Sequence, residues 1–244
     1  MDGSAALKGL IVLGLATAAA ACAVDNRLLS TSSGSGGSGS STGMNALGGE
    51  AGQGAAPLTP LPVCDYGAGL EEGCETLVSN PGFARDTTSW KAEDGTVAMT
   101  WDRVDASDND ESGSLSVLNS LYGAANGVAS RAAAQCLPTQ SGQAYGFGLD
   151  VFIPEGQGEG LDGGDYQGSA GLSLIFFTSK RCDGFTLASA TSELLDEAGM
   201  WAHREGRAVA PQGAESVLVR LVTFKNFQEY SFEARFDNVL VRAE

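Results

Sequence analysis

The sequence predicts an all-β fold, an antiparallel β-sandwich preceded by a disordered N-terminal tether. Three observations carry this. First, apolar residues alternate with small or polar ones. In Gln143–Ile153, Tyr145, Phe147, Leu149, Val151 and Ile153 share one face, while Ala144, Gly146, Gly148 and Asp150 share the other. That is period two, the mark of a half-buried strand. Second, such runs recur between Gly, Asp, Asn and Pro, the residues that make turns. Third, residues 30–56 hold STSSGSGGSGSST and GGEAGQGAA, with no apolar periodicity at all. A segment of that kind cannot offset its ordering entropy.

In order along the chain, the strand candidates are Thr76–Ser79, Val97–Val104, Ser114–Leu118, Val128–Cys136, Gln143–Ile153, Ser169–Ser179, Trp201–Ala210, Ser216–Phe224 and Phe232–Val241. Strands at this spacing indicate a sandwich. Small residues on the outer face of Gln143–Ile153 leave room for something to lie close there. Ser192–Gly199 (SELLDEAG) is the most helix-like stretch, one or two turns at most. Pro211–Gly213 reads as the hairpin turn before a core strand. Phe83, Trp90 and Trp201 read as core plugs.

The division expected is 1–21 export signal, 22–63 Gly/Ser-rich linker and 64–244 folded domain. Lys8 precedes an apolar stretch, Gly9–Ala21, which is too short to span a bilayer as a helix. Its length suits the h-region of a secretory signal. Ala19-Ala20-Ala21 followed by Cys22 resembles the lipobox of bacterial lipoproteins. The resemblance implies that Cys22 is lipidated; ordinary signal cleavage, with Cys22 incidental, is the other reading. Five cysteines then resolve into Cys22 plus four that can pair. A local Cys64–Cys74 loop is the simplest pairing, which leaves Cys136 with Cys182. No pair has the C-x-x-C spacing of a zinc or redox site.

The opening Leu77-Val78-Ser79-Asn80-Pro81-Gly82-Phe83, with Trp90 beyond it, and the close Gly199-Met200-Trp201, Pro211-Gln212-Gly213-Ala214 and Phe236-Asp237-Asn238-Val239 form a pattern. It resembles the galactose-binding-like jelly-roll modules, in particular the carbohydrate-binding modules attached to xylanases and cellulases. Signal, tether and cysteine pairs around such a module look like the envelope lipoproteins of myxobacteria. The resemblance implies a non-catalytic protein that binds a neutral polysaccharide, exported and lipid-anchored at the outer membrane or cell surface. Periplasmic or secreted location stays open. It also implies a structural calcium ion held in part by Asp237, although Ala84 stands where those modules usually carry Glu. Asn80-Pro81-Gly82 reads as a tight turn with Gly at positive φ.

Function is less legible. The chain carries 30 Asp or Glu against 14 Lys or Arg, a formal charge of −16. That excludes nucleic acid, whose phosphates need clustered cations, and leaves the membrane only through the lipid. Residues 75–244 hold 24 acids and 12 bases, so the acidity belongs to the domain. No G-x-S-x-G elbow exists in the folded domain 64–244, and His203, the single histidine, reads as an exposed strand or loop residue. The run Asp105–Glu111 lacks the EF-hand glycine and reads as a solvated loop. Sugar sites use aromatic faces flanked by amides and charged groups. The candidates are Trp101, Arg103, Tyr166, Asn226 and Tyr230, with Tyr122, Asn126 and Gln228 behind them. The expected state is a monomer. The competing classes are a structural or protein-interaction lipoprotein of the envelope, and an accessory to a glycoside hydrolase on another chain.

Overall fold

The computed structural model describes residues 59–69, 71–121, 129–157, 168–225 and 230–244. The export segment, Cys22 and most of the tether lie outside these residues, as do Tyr122, Asn126, Tyr166, Asn226 and Gln228. Among the described residues the chain forms ten strands: β1 (Lys91–Ala92), β2 (Val97–Asp102), β3 (Ser114–Asn119), β4 (Ala129–Pro138), β5 (Ala144–Phe152), β6 (Gly168–Phe177), β7 (Thr186–Thr191), β8 (Trp201–Val209), β9 (Ser216–Lys225) and β10 (Phe232–Ala243). They form two five-stranded sheets, ordered β1-β4-β9-β6-β7 and β2-β3-β10-β5-β8. Every pairing is antiparallel. The protein is an all-β sandwich, as the alternation predicts.

The inward residues of β5 (Phe147, Leu149, Val151) meet those of β6 (Leu172, Leu174, Phe176), β9 (Val217, Val219, Leu221) and β10 (Phe232, Ala234, Phe236) in one core. Phe83 and Trp90 plug its end, fully and almost fully buried, with ring centroids 5.9 Å apart. Both expected disulfides are present. Cys64–Cys74 closes a loop of sequence separation 10, and Cys136–Cys182 one of 46.

Several expectations need correction. Thr76–Ser79 is not a strand; Thr76 instead bonds through its hydroxyl to β10 at Val239 and Val241. Ser192–Gly199 is not helical. Leu195 is drawn wholly into the core and bridges Ala170, so the backbone runs extended. Pro211–Gly213 turns the chain from β8 in one sheet to β9 in the other, so it is no hairpin. In the Asn80-Pro81-Gly82-Phe83 turn the positive φ values fall on Asn80 (53°) and Phe83 (44°). Gly82 is small for another reason: a Cβ there would sit 2.6 Å from Cβ of Tyr66. The chain also holds two strands that the pattern hides. β1 has only two residues, and β7 (TLASAT) turns only alanines inward, too small to raise an apolar signal.

Trp201 is not in the core. It pairs with Phe152, whose neighbour Val151 faces inward, so both rings lie on the outer surface of the sheet.

Candidate functional site

The register of β2-β3-β10-β5-β8 stacks its outward side chains into rows across the strands. One row runs Thr100, Ser116, Arg235, Phe152, Trp201. The next runs Asp102, Ser114, Asp237, Asp150, His203, with Ser114 reaching Asp237 by alternation from the Leu115–Phe236 pair. Beyond a bulge between Asp237 and Leu240 come Leu240, Gly148 and Glu205, then Arg242, Gly146 and Arg207.

A strap, residues 59–74, lies over these last rows. Leu61, Cys64, Cys74 and Leu240 form a small core of their own with Tyr66 packed against it. The Leu61 amide donates to Glu205 Oε2 at 2.9 Å, and Arg207 Nη2 donates to the Thr59 carbonyl. A Cβ on Gly146 would sit 2.6 Å from Leu61 Cδ2. The small outer face of β5 is thus the seat of the protein's own N-terminal segment. Tyr66 is anchored by its hydroxyl, which donates to the Cys74 carbonyl at 2.9 Å; burial pushes its pKa up to about 12.

The acidic row is roofed by the loop after β2. Asp105 is buried and organises that loop, its Oδ1 accepting the amides of Ser107 (2.7 Å) and Asn109 (3.1 Å). The solvated reading therefore holds for Asp108, Asp110 and Glu111 but not for Asp105. Asp237 is wholly buried; Oδ2 accepts the Ala106 amide (3.1 Å) and Oδ1 the Asn238 amide (2.7 Å). Asn238 spans the row. Its Nδ2 donates to Asp150 Oδ2 (2.9 Å), and its Oδ1 accepts the Tyr66 amide of the strap (3.1 Å). Asp150 Oδ1 lies 3.0 Å from His203 Nδ1. Asp102 pairs with Arg235 at 2.9 Å. Of the three carboxylates in the row, Asp237 alone has no cationic or side-chain partner among the described residues. Burial first, then the nearby Asp105 and Asp150 carboxylates, raise its pKa from 3.8 to about 8, against the two amide bonds.

Calcium wants six to eight oxygens. Among the described residues no group of three or more His, Cys, Asp or Glu side chains converges. Position 84 offers no carboxylate, and each Asp237 oxygen already faces an N–H. The side chains around Asp237 therefore fall short of a calcium cage. His203 lies on β8 as expected but is half-buried, and its Nε2 has no partner among the described residues. Among the described residues no hydroxyl or thiol meets that nitrogen.

Of the sugar-site candidates, Trp101 and Arg103 come together. Trp101 follows the inward-facing Val97 and Met99, but at the strand's end its indole is 37% exposed. Its Nε1 donates to the Phe83 carbonyl at 2.7 Å, which fixes the ring. One side packs on Gly113, where a Cβ would come within 2.7 Å of the indole. The cleft beside it, about 340 Å³, is walled by Ala84, Arg85, Arg103, Asp110 and Glu111. Tyr230 is also partly exposed, yet it precedes Phe232, which pairs with Asn119 at the far end of β3 from Trp101. It belongs to no common site with Trp101. A wider cleft of about 650 Å³, lined by Glu75, Thr76, Leu77, Arg242, Ala243 and Glu244, has no aromatic wall.

Sequence reasoning missed Phe152 and Trp201 as a surface pair. Their ring centroids are 5.5 Å apart at 40°, and the Arg235 guanidinium sits 5.6 Å over the Phe152 ring. The alternation that put Tyr145 to Ile153 inward also put Phe152 outward, and that was the available signal.

No protein-family model matches the chain, and no curated protein matches it. Among solved structures, the enzymatically active domain of tailspike protein 4 of bacteriophage CBA120 is similar at 14% identity and a TM-score of 0.49. That likeness covers 69% of this chain but only 21% of the other. The CBM22-2 xylan-binding domain of Paenibacillus barcinonensis Xyn10C is similar at 14% identity and a TM-score of 0.45, over 67% of this chain and 98% of that one. The TmCBM61 module in complex with β-1,4-galactotriose follows at 15% identity and 0.41, over 70% and 99%. The structural neighbours thus include carbohydrate-binding modules.

Proposed function

We propose that the sandwich is a non-catalytic carbohydrate-binding module, exported and carried on a lipid anchor at Cys22. The observation that carries the reading is the Trp101 cleft. A half-exposed indole, locked by its own N–H, stands among two guanidinium and two carboxylate groups. Such a ring stacks on the apolar face of a pyranose while the flanking groups bond its hydroxyls. The opening and closing motifs, which resemble those of such modules, support the same reading. Glycan-array binding of the full mature chain tests it. We expect retention of neutral polysaccharide and about a tenfold weaker Kd for Trp101→Ala, in line with loss of one stacking contact. Binding to nothing at millimolar glycan overturns it. For the anchor, palmitate label is expected on the native chain and not on Cys22→Ala; equal label refutes it.

A further inference from the structure

Each sheet ends in two edge strands, β1 and β7 in one, β2 and β8 in the other. An edge shows unpaired amides and carbonyls, and proteins guard such edges with charge, proline or covering chain. β1 is two residues long and holds Lys91, β2 ends in Asp102, and β8 carries His203, Arg204, Glu205 and Arg207. The Glu193 amide also covers β8, at the Glu205 carbonyl. β7 (TLASAT) alone has neither a charge nor a proline. Thr186, Leu187, Ser189 and Thr191 are exposed along it, and Phe185, just before it, is 84% exposed.

The ladder shows which backbone groups are open. The Ser192 amide donates to the Leu172 carbonyl of β6 at 2.8 Å. Backbone direction alternates along a strand. Ala190 and Ala188 therefore also turn to β6, while Thr191 and Ser189 turn their N–H and C=O away from it. Among the described residues nothing pairs with those outward groups.

Charge then selects the occupant. Residues 185–192 are uncharged, in a domain whose residues 75–244 hold 24 acids and 12 bases. Lys180 and Arg181 precede this run and Glu193 follows it. Asp183 takes Arg181, Nε to Oδ2 at 3.4 Å, while Lys180 has no ion pair among the described residues. A second β7 laid antiparallel on the first brings its basic end to the acidic end of the other, at both ends of the seam. The pleat also fixes the register. Facing residues share a face of the sheet, so the two-fold axis passes through a residue rather than between two. Ser189 is the outward-turned residue at the middle of Leu187, Ser189 and Thr191.

We propose that β7 is a homodimer seam, on which a second copy of the chain adds its own β7 antiparallel. Ser189 faces Ser189 of the second copy, and Thr191 faces its Leu187. The seam joins two five-stranded sheets into one of ten. It replaces the monomer expected from the sequence. A pair presents any site of the module twice, which raises avidity for a repeating ligand.

Sedimentation velocity tests this on the mature chain carrying Cys22→Ala, whose four remaining cysteines are paired. A reversible dimer is expected, half formed at about 0.1 mM, in line with a small seam. Ser189→Lys sets like charges against each other at the axis and is expected to weaken it at least about tenfold. Ser189→Thr keeps the edge uncharged and is expected to stay within about threefold, which controls for folding. On oxidation, Ser189→Cys is expected to link to its own copy, because facing hydrogen-bonded residues lie about 5.5 Å apart, within disulfide reach. Thr191→Cys lies about 14 Å from its own equivalent and is expected to link only when mixed with Leu187→Cys. A parent chain still monomeric at about 1 mM overturns the seam. So does a dimer that Ser189→Lys leaves intact, or a Thr191→Cys chain that links to itself as fast as Ser189→Cys.

Discussion

The two outward faces of the sandwich are built on opposite terms. On β1-β4-β9-β6-β7 the outward residues are almost all uncharged, and Ala132, Ala134, Ser173 and Val222 among them are buried. One ion pair, Arg220 to Glu93 at 2.7 Å, interrupts them. On β2-β3-β10-β5-β8 a row carries Asp102, Asp237, Asp150 and His203, and it is roofed by added backbone. The contrast shows what a charged row demands. Buried carboxylates need donors. Asp237 takes the Asn238 amide freed at the β10 bulge and the Ala106 amide brought by the loop after β2, while the strap's Tyr66 amide holds Asn238, which donates in turn to Asp150. Where that roof stops, the aromatic row begins.

The largest way to test this division is through its two staples. Cys136–Cys182 ties the end of β4 to the loop after β6, whereas Cys64–Cys74 lies within the strap. In the chain-entropy picture, Cys136→Ser with Cys182→Ser costs about 4 kcal/mol and Cys64→Ser with Cys74→Ser about 3 kcal/mol. Guanidinium melts check both. The strap pair carries a further signature. Protease cleavage between residues 59 and 74 is expected to accelerate well before the sandwich unfolds, because only the small core around Leu61 and Leu240 and a few hydrogen bonds then hold the segment. Equal protection in both double variants would mean that the roof is not a separate unit.

The next effect is the pH dependence of the roofed row. With its folded pKa about 8 against 3.8, Asp237 in the native state holds a proton that the unfolded chain has already released. Between about pH 4 and pH 8 the native state therefore binds more protons, and stability falls as pH rises. Asp237→Asn removes that slope while losing one acceptor for the Ala106 amide. Relative to the native chain, the variant is expected to be less stable near pH 4 and to gain about 5 kcal/mol by pH 8. Urea melts across that window read the difference directly. Parallel curves would show that Asp237 is ionised throughout. Added calcium or EDTA is expected to leave both curves in place, since the described side chains do not complete a cage.

The sandwich was legible because β5, β9 and β10 bury alternate residues, and alternation is a one-dimensional signal. β7 escaped because alanines fill its inward positions, and Ser192–Gly199 misled because Leu195 is apolar at helical spacing yet serves as a core plug. The site was less legible for a physical reason. Whether a ring faces core or water depends on which residue of a strand is odd. Trp201 reads as core until its pairing with Phe152 is known. Trp101 shares its face with Val97 and Met99, and only the end of β2 brings it to the surface. Long-range relations were invisible for the same cause. Nothing local connects Tyr66 with Asn238, or Asp105 with Asp237, although each pair sits in one small network.

The smallest effect separates soft cover from hard. Gly146 lies under side-chain tips, since a Cβ there would meet Leu61 Cδ2 at 2.6 Å and Glu244 Oε1 at 2.7 Å. Both tips can swing aside. Gly113 lies under backbone and a fixed ring, with a Cβ 2.3 Å from the Asp102 carbonyl and 2.7 Å from the indole of Trp101. Neither can move without bending β2 or breaking the Trp101–Phe83 hydrogen bond. Gly113→Ala is accordingly expected to cost about 1–3 kcal/mol and to alter Trp101 fluorescence. Gly146→Ala is expected to cost under about 1 kcal/mol, part of it offset by the lower chain entropy of Ala in the unfolded state. Thermal melts of the two variants decide the matter. A large loss at Gly146 would mean that the strap is seated as rigidly as the loop, and that the roof over this face is one piece.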